Sequence, residues 1–296
     1  MLTLLLACAV AQAHTEPNCP APGQTRADLV QLRRDGFVIE DDAVRDRVAI
    51  GLLACTGDPD PAIRDGVVYE GLATWLRGKQ LSAAAVQALR EGLLEQLQAA
   101  DDAAGFRKPF AALALSEVAR SDRVEPVFTG EQREQLVAAA ASYLGGVRDY
   151  RGFSETEGWR HGVAHGSDLV LQLALNPQIS PEQAWRLLAA VAAQIAPPGE
   201  VFYVYGEPAR LARAAFYAQR RDDMAAADWA RWLGAVADPA PLDAWSDAFS
   251  TQAGLARRHN TLAFLQALYV AASAAGDEHG AVLAAQVMEA LRRIGS

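Results

Sequence analysis

The strongest constraint on the fold is that apolar residues recur every three or four positions along almost the whole chain, which is the period of an α-helix. No convincing run of alternating apolar and polar residues, the pattern of a β-strand, accompanies them. The pattern therefore predicts an all-α protein of roughly a dozen helices joined by short turns. It is clearest in residues 41–55, 82–99, 129–144, 181–196 and 281–294.

Three short motifs predict where helices begin. Each has a serine or threonine followed three residues later by glutamate or glutamine, the capping box that satisfies free backbone N–H groups at a helix start. The motifs are Thr129 with Gln132, Ser154 with Glu157, and Ser180 with Gln183. The second motif predicts one helix that starts at Ser154 and carries residues 158–168.

Similar helical segments also recur along the chain. Five of them open near an arginine and continue into alanine, leucine and valine, at intervals of 43 to 53 residues. This spacing is near that of paired-helix repeats. It favours a HEAT/armadillo-like α-solenoid over the alternative, a closed α/α toroid, because stacked hairpins bury their apolar faces without an exact repeat length. Composition does not shift within residues 27–296, so we expect a single helical-repeat domain there.

The N-terminal residues predict export. Residues 1–13 form an uncharged apolar run of signal-peptide length that ends in an Ala-x-Ala cleavage pattern. An extended arm, residues 14–26, would follow in a periplasmic or secreted protein. The alternative is a lipoprotein attached through Cys8. After cleavage, Cys19 and Cys55 would remain and could form a disulfide in an oxidising compartment, unless Cys55 is simply a small buried apolar residue.

Charge and hydropathy exclude two classes of partner. The formal net charge of -9 argues against a nucleic-acid binder, because such proteins neutralise phosphates with a cationic surface. The leading apolar run is too short for a membrane span, so no transmembrane segment is expected in the mature chain. No motif identifies a cofactor or an oligomeric state.

Chemistry is concentrated in residues 158–168, Gly-Trp-Arg-His-Gly-Val-Ala-His-Gly-Ser-Asp. On a helix His161 and His165 share one face, and Asp168 follows on the next turn. The pattern suits a metal held by these three residues, acid–base catalysis by one histidine, or buried structural histidines. The three glycines at four-residue spacing would form a neighbouring row against which another helix or a ligand could pack closely.

Two further segments supply residues for the same site. Residues 202–210 combine aromatic side chains with an arginine, and residues 257–260 are a dense basic and polar cluster. Together they would offer aromatic faces, guanidinium groups and amides to a sugar or another anionic ligand, although the tyrosines could equally be core residues. The predicted ligand-binding residues are Trp159, Arg160, Asp168, Tyr203, Arg210, Arg257, Arg258, His259 and Asn260.

The arginines that open the repeated segments would lie along one edge of the stack. Such a row could bind carboxylate or phosphate groups through paired hydrogen bonds. The alternative is that the row makes ion pairs between repeats. Its members are Arg64, Arg107, Arg160, Arg210 and Arg258.

The chain resembles an uncharacterised bacterial domain-of-unknown-function family, DUF2785, marked by a Gly-Trp-Arg-His-Gly-x-Ala-His-Gly-x-Asp-Leu segment. The resemblance spans roughly residues 58–273 and includes Phe-Arg-Lys-Pro-Phe at 106–110, Gly-Glu-Pro-Ala-Arg at 206–210 and Ala-Arg-Arg-His-Asn at 256–260. It implies a helical-repeat domain and brings no established activity. A fainter similarity to lanthionine-cyclase-like toroids would require cysteine zinc ligands, and no cysteine follows Cys55.

Three functions are consistent with these features. The first is an exported binding or interaction scaffold with a polar His/Arg/Tyr groove for an anionic small molecule, glycan or peptide. The second is a periplasmic enzyme that acts on an anionic glycan or peptide, with His161, His165 or Tyr205 transferring a proton. The third is a metal-dependent hydrolase that uses His161, His165 and Asp168.

Overall fold

The computed structural model describes residues 19–20 and 23–295, and this part of the chain is almost entirely helical. The all-α prediction is therefore confirmed. The predicted signal peptide, residues 1–13, and the lipoprotein alternative at Cys8 lie outside the described residues. The helices are α1 Arg26–Arg34, α2 Asp42–Gly51, α3 Pro61–Ile63, α4 Glu70–Arg77, α5 Ala83–Gln98, α6 Arg107–Val124, α7 Gly130–Gly146, α8 Gly162–Ala174, α9 Pro181–Ile195, α10 Glu207–Gln219, α11 Ala226–Val236, α12 Gln252–Ala274 and α13 Glu278–Gly295.

The helices form two layers. In the first layer α4, α6, α8, α10 and α12 pack side by side in that order, and in the second layer α2, α5, α7 and α9 do the same. The last helix, α13, packs on α11 and α12. Leucines such as Leu115 of α6, Leu136 of α7 and Leu187 of α9 are fully buried in the core. The first layer matters for function because it carries the segments singled out above.

Two of the predicted helix starts are confirmed. Thr129 Oγ1 accepts a hydrogen bond from the backbone N–H of Gln132, and the Gln132 side chain accepts one from the backbone N–H of Thr129. Ser180 and Gln183 make the same reciprocal pair at the start of α9. These caps satisfy backbone donors that have no partner within the helix.

The predicted helix start at Ser154 is wrong. Residues Phe153–Ser154 form strand β1, which pairs antiparallel with β2, Gly158–Trp159, and α8 begins only at Gly162. Gly158 has φ +73°, a conformation that a right-handed helix does not allow. The backbone N–H of Arg160 donates to the Gly152 carbonyl at 2.9 Å and closes the hairpin.

The glycine row is consequently shorter than predicted. Only Gly162 and Gly166 lie on α8, and both face Tyr143 of α7. A Cβ added to Gly166 would lie 3.1 Å from the Tyr143 ring, and one added to Gly162 would lie 3.3 Å from its hydroxyl oxygen. These glycines therefore allow close packing of α7 on α8.

The N-terminal part of the described chain has two further features. Cys19 and Cys55 are joined by a disulfide, with their Cα atoms 4.8 Å apart. A single π-helical turn, Arg64–Tyr69, connects α3 to α4. Within the described residues, no helix has the length and apolar character needed to cross a membrane.

Candidate functional site

The two histidines of the 158–168 segment lie side by side at the start of α8. His161 precedes the helix with φ 58° and ψ 39°, a left-handed conformation that is uncommon for residues other than glycine. Its carbonyl accepts the backbone N–H of His165 at 3.0 Å, so the histidines keep the helical four-residue relation although His161 is outside the helix. The two ring centroids are 5.7 Å apart.

His161 is held between an aromatic ring and a backbone carbonyl. Its imidazole stacks on Trp159 with ring centroids 4.6 Å apart, and Nε2 lies 3.0 Å from the carbonyl oxygen of Tyr205. Because a carbonyl can only accept, Nε2 carries the proton and Nδ1 is the acceptor. Burial lowers the pKa of His161 to about 4, so the ring is neutral at pH 7.

His165 lies one helical turn after His161, on the same side of α8, and its side chain is more buried. Its ring meets Phe110 of α6 edge-on at 5.0 Å, and its Nδ1 atom is buried without a hydrogen-bond partner. Burial, followed by the neighbouring His161 ring and the Arg210 guanidinium, lowers the pKa of His165 to about 3. Both histidines therefore act at neutral pH as uncharged polar groups.

Asp168 is engaged by an arginine of the next helix in the layer. Its carboxylate forms an ion pair with Arg210 of α10, whose side chain remains 43% exposed. Burial raises the pKa of Asp168, and the Arg210 guanidinium opposes this change. Within the described residues, no three His, Cys, Asp or Glu side chains are grouped to hold a metal ion. The arrangement gives no support to the metal site predicted at His161, His165 and Asp168.

An exposed aromatic edge borders these polar groups. The Trp159 ring, half-buried beside His161, meets the Tyr205 ring at right angles with centroids 5.9 Å apart. Tyr205 is 39% exposed and lies directly over Gly152. The backbone N–H of Tyr205 donates to the buried Glu207 carboxylate at 2.9 Å, which fixes the loop before α10. The sequence pointed to Glu207 only as an ion-pair partner for the arginine row and did not indicate that its carboxylate anchors this loop.

The predicted arginine row is wrong at two of its five members. Arg64 is fully buried and Arg160 is 6% exposed, and both guanidinium groups lie over the Phe106 ring, at 4.0 and 4.3 Å. Arg64 donates to the carbonyl of Glu157 at 2.8 Å, and Arg160 donates to the carbonyl of Ala104 at 2.6 Å. Neither guanidinium group is accessible to a ligand, because both are buried and both already contact an aromatic ring and donate to backbone carbonyls. They support the hairpin that carries Trp159.

Two other predicted ligand-binding residues are structural. Tyr203 is 5% exposed, and its hydroxyl donates to the carbonyl of Gln194 at 2.9 Å. Asn260 is fully buried, accepts from the Tyr203 backbone N–H and donates to the Val201 carbonyl. These two residues tie the 201–205 loop to α12, so they determine where Tyr205 lies without contacting a ligand themselves.

The rest of the 257–260 cluster lies further along the same edge. The exposed His259 ring packs on Phe202 at 5.7 Å, and the Arg258 guanidinium lies 5.1 Å from the Phe249 ring. Arg257 donates to the Pro239 carbonyl at 3.3 Å. The structure thus brings Trp159, His161, His165, Asp168, Tyr205 and Arg210 together and leaves His259 and Arg258 in a neighbouring groove.

The grouped residues are suited to binding. A half-exposed guanidinium can form paired hydrogen bonds with a carboxylate, and adjacent aromatic rings can pack on apolar faces of a ligand. The same residues are less suited to proton transfer, because a catalytic acid or base works best when its pKa is near the working pH. Two imidazoles with pKa values near 4 and 3 are far from that range.

The fold and the site define a class: two-layered all-α proteins with an aromatic and arginine-bearing site at the start of adjacent first-layer helices. Within that class the chain belongs to the DUF2785 family, whose model, described as a protein of unknown function, matches residues 93–270. No curated protein and no solved structure shows significant similarity to the chain. The match covers the hairpin, both histidines and Arg210.

Proposed function

We propose that the protein is an exported binding scaffold, an α-solenoid of helical hairpins that binds an anionic glycan. The observation that carries this proposal is the position of Arg210. Its guanidinium is half-exposed and is held in place by the ion pair with Asp168. The pKa of His161 is lowered chiefly by burial, and the positive charge of Arg210 adds to this effect. His161 in turn stacks on Trp159, so the cation and the aromatic edge border one site.

A glycan is favoured over other anions by the chemistry of this edge. Tyr205 is exposed and Trp159 is half-exposed, and aromatic rings of this kind pack on the apolar faces of sugar rings. A carboxylate on one sugar would pair with Arg210 while a neighbouring ring packs on Tyr205. The neutral state of both histidines supports binding over acid–base catalysis.

Two other features support the broader proposal. The two-layer succession of helices suits stacked helical hairpins, whose first layer would form a continuous binding surface. The Cys19–Cys55 disulfide suits a protein that resides in an oxidising compartment, as the export proposal requires.

The experiment is calorimetric titration of the protein with oligogalacturonate, an acidic oligosaccharide, with neutral dextran oligomers as the control ligand. We expect saturable binding of oligogalacturonate and about tenfold weaker binding by Arg210→Gln, because one charge-assisted pair is removed. The matched control is Arg186→Gln, which removes an equally exposed arginine from a surface ion pair with Glu134 on the second layer.

Equal affinities of wild type and Arg210→Gln would contradict the proposal. So would tighter binding of a poly-glutamate peptide than of oligogalacturonate, which would indicate an acidic peptide as the ligand. Tyr205→Ala is a second variant, and it should weaken oligosaccharide binding while leaving poly-glutamate binding, if any, unchanged.

A further inference from the structure

A cleft that shares no residue with the proposed glycan site lies between α4 and the end of α6. It has a volume of about 570 Å³ and is enclosed by α4, the start of α5 and the last turn of α6 with the residues after it. This volume is within the range of clefts that bind small organic molecules. No residue of the site around His161 and Arg210 lines it.

The floor of this cleft is apolar. Leu76 and Val86 line it from the protein core, and Leu81, Val124 and Val127 continue the apolar lining toward its mouth. Val124 is 47% exposed, so part of the lining is open to solvent. An apolar surface of this kind gains free energy when a hydrocarbon group covers it.

The rim of the cleft is cationic, and its three basic residues differ in their partners. Arg77 makes a two-point contact with the buried Glu117 carboxylate. Lys79 reaches Glu125 at 2.8 Å. Among the described residues, Arg120 has no carboxylate partner, although it lines the same cleft. Burial, and after it the positive charge of Arg120, lowers the pKa of Arg123, one turn further along α6.

The backbone at the rim is also unusual. Lys79 has φ 54°, a left-handed conformation that normally favours glycine or asparagine after a helix. The conformation belongs to the cap of α4, because the N–H groups of Lys79 and Gln80 donate to the carbonyls of Leu76 and Trp75. This conformation places the chain so that the Lys79 ammonium group meets Glu125, which stands on the opposite side of the cleft at the end of α6.

We infer that this cleft binds a small amphipathic anion, such as a medium-chain carboxylate, whose hydrocarbon part covers the apolar floor and whose charged end pairs with Arg120. The charge of Arg120 indicates the class of ligand. An unpaired guanidinium beside an apolar surface should bind an anion with an apolar body more tightly than a neutral or cationic molecule. The inference is independent of the proposed glycan site, since no residue is shared.

The test is calorimetric titration of the full chain with decanoate, and with decanol as the uncharged control of the same chain length. We expect saturable decanoate binding at one site and about tenfold weaker binding of decanol. Arg120→Gln should weaken decanoate binding about tenfold, whereas Arg210→Gln and Arg186→Gln should leave it unchanged. Far-ultraviolet circular dichroism would establish that each variant is folded.

A second variant guards against indirect effects of the first. Val124→Glu places a negative charge on the exposed part of the cleft lining and should abolish decanoate binding. Equal decanoate affinities of wild type, Arg120→Gln and Val124→Glu would overturn the inference. Equal binding of decanol and decanoate would overturn it as well, because the charged end would then have no partner in the cleft.

Discussion

At the scale of single residues, the two buried imidazoles contribute to how stability depends on pH. The folded-state pKa values of His161 and His165, about 4 and about 3, lie below the ordinary value near 6.5. At pH values between the folded-state and ordinary pKa values, these histidines are protonated in the unfolded chain and neutral in the folded protein. Their effect on stability is therefore absent above about pH 6.5, and the free energy of unfolding falls as the pH decreases toward 4.

We predict that His165→Gln reduces this acid dependence. The variant should lose about 1–2 kcal/mol at pH 7 through poorer packing. Between pH 6.5 and 4.5, however, its free energy of unfolding should fall by about 2 kcal/mol less than that of wild type. Urea denaturation at a series of pH values measures this difference. The raised pKa values of Asp168 and Glu207 act in the opposite direction in both proteins, so the comparison isolates His165.

His279→Gln is the control for this prediction, because His279 is exposed on α13. Its curve should follow that of wild type at every pH. Parallel curves for wild type and His165→Gln would show that His165 does not contribute to the acid dependence.

At the scale of secondary structure, the hairpin β1–β2 depends on a glycine that precedes it. A Cβ added to Gly152 would lie 2.0 Å from the Tyr205 ring, so any side chain there must displace that ring. We predict that Gly152→Ala lowers the free energy of unfolding by about 1–3 kcal/mol. It should also weaken oligogalacturonate binding, since Tyr205 would move away from Trp159.

The matched control is Gly146→Ala at the end of α7, where an added Cβ meets nothing within 4 Å. That variant should be neutral or more stable by up to about 1 kcal/mol, because alanine favours the helix. Urea denaturation and calorimetric titration measure both variants. Wild-type stability and affinity in Gly152→Ala would contradict the prediction.

The same hairpin explains where helix prediction from the sequence succeeds and fails. The motifs at Thr129 and Ser180 precede long apolar periods, and both are real capping boxes. Ser154 and Glu157 have the same spacing, yet Gly158 adopts a positive φ and the chain turns back. A four-residue motif does not distinguish these cases, because the hairpin is fixed by Arg64 and Tyr205, which are distant in sequence.

At the scale of the whole molecule, the disulfide fastens the N-terminal end of the described chain to the first helices. Cys19 and Cys55 are 36 residues apart in sequence, and closing a loop of this length restricts the unfolded chain. We predict that the double variant Cys19→Ser, Cys55→Ser loses about 3–4 kcal/mol of stability. Urea denaturation with and without reductant measures it.

Reductant should destabilise wild type to the same extent and should not affect the double variant. Equal stability of the oxidised and reduced wild type would contradict the prediction. The sequence left this pairing open between a disulfide and a buried thiol, because the spacing of two cysteines carries no information about their distance in the fold.

Which polar residues face solvent is also a property of the whole molecule. The five arginines of the predicted row begin similar segments, but Arg64 and Arg160 are buried over Phe106 whereas Arg210 is half-exposed. The difference arises from neighbours contributed by other helices. The structure groups several of the predicted residues around His161, and the sequence alone does not distinguish the exposed Arg210 from the buried Arg64 and Arg160.

The hydrogen bond from Arg64 to the Glu157 carbonyl joins residues that are 93 positions apart. It connects the π-helical turn before α4 to the hairpin that presents Trp159. The region matched by the family begins only at residue 93, after Arg64. A fragment cut at that boundary would lose Arg64 and with it one of the two guanidinium groups that cover the Phe106 ring and a hydrogen bond that holds the hairpin.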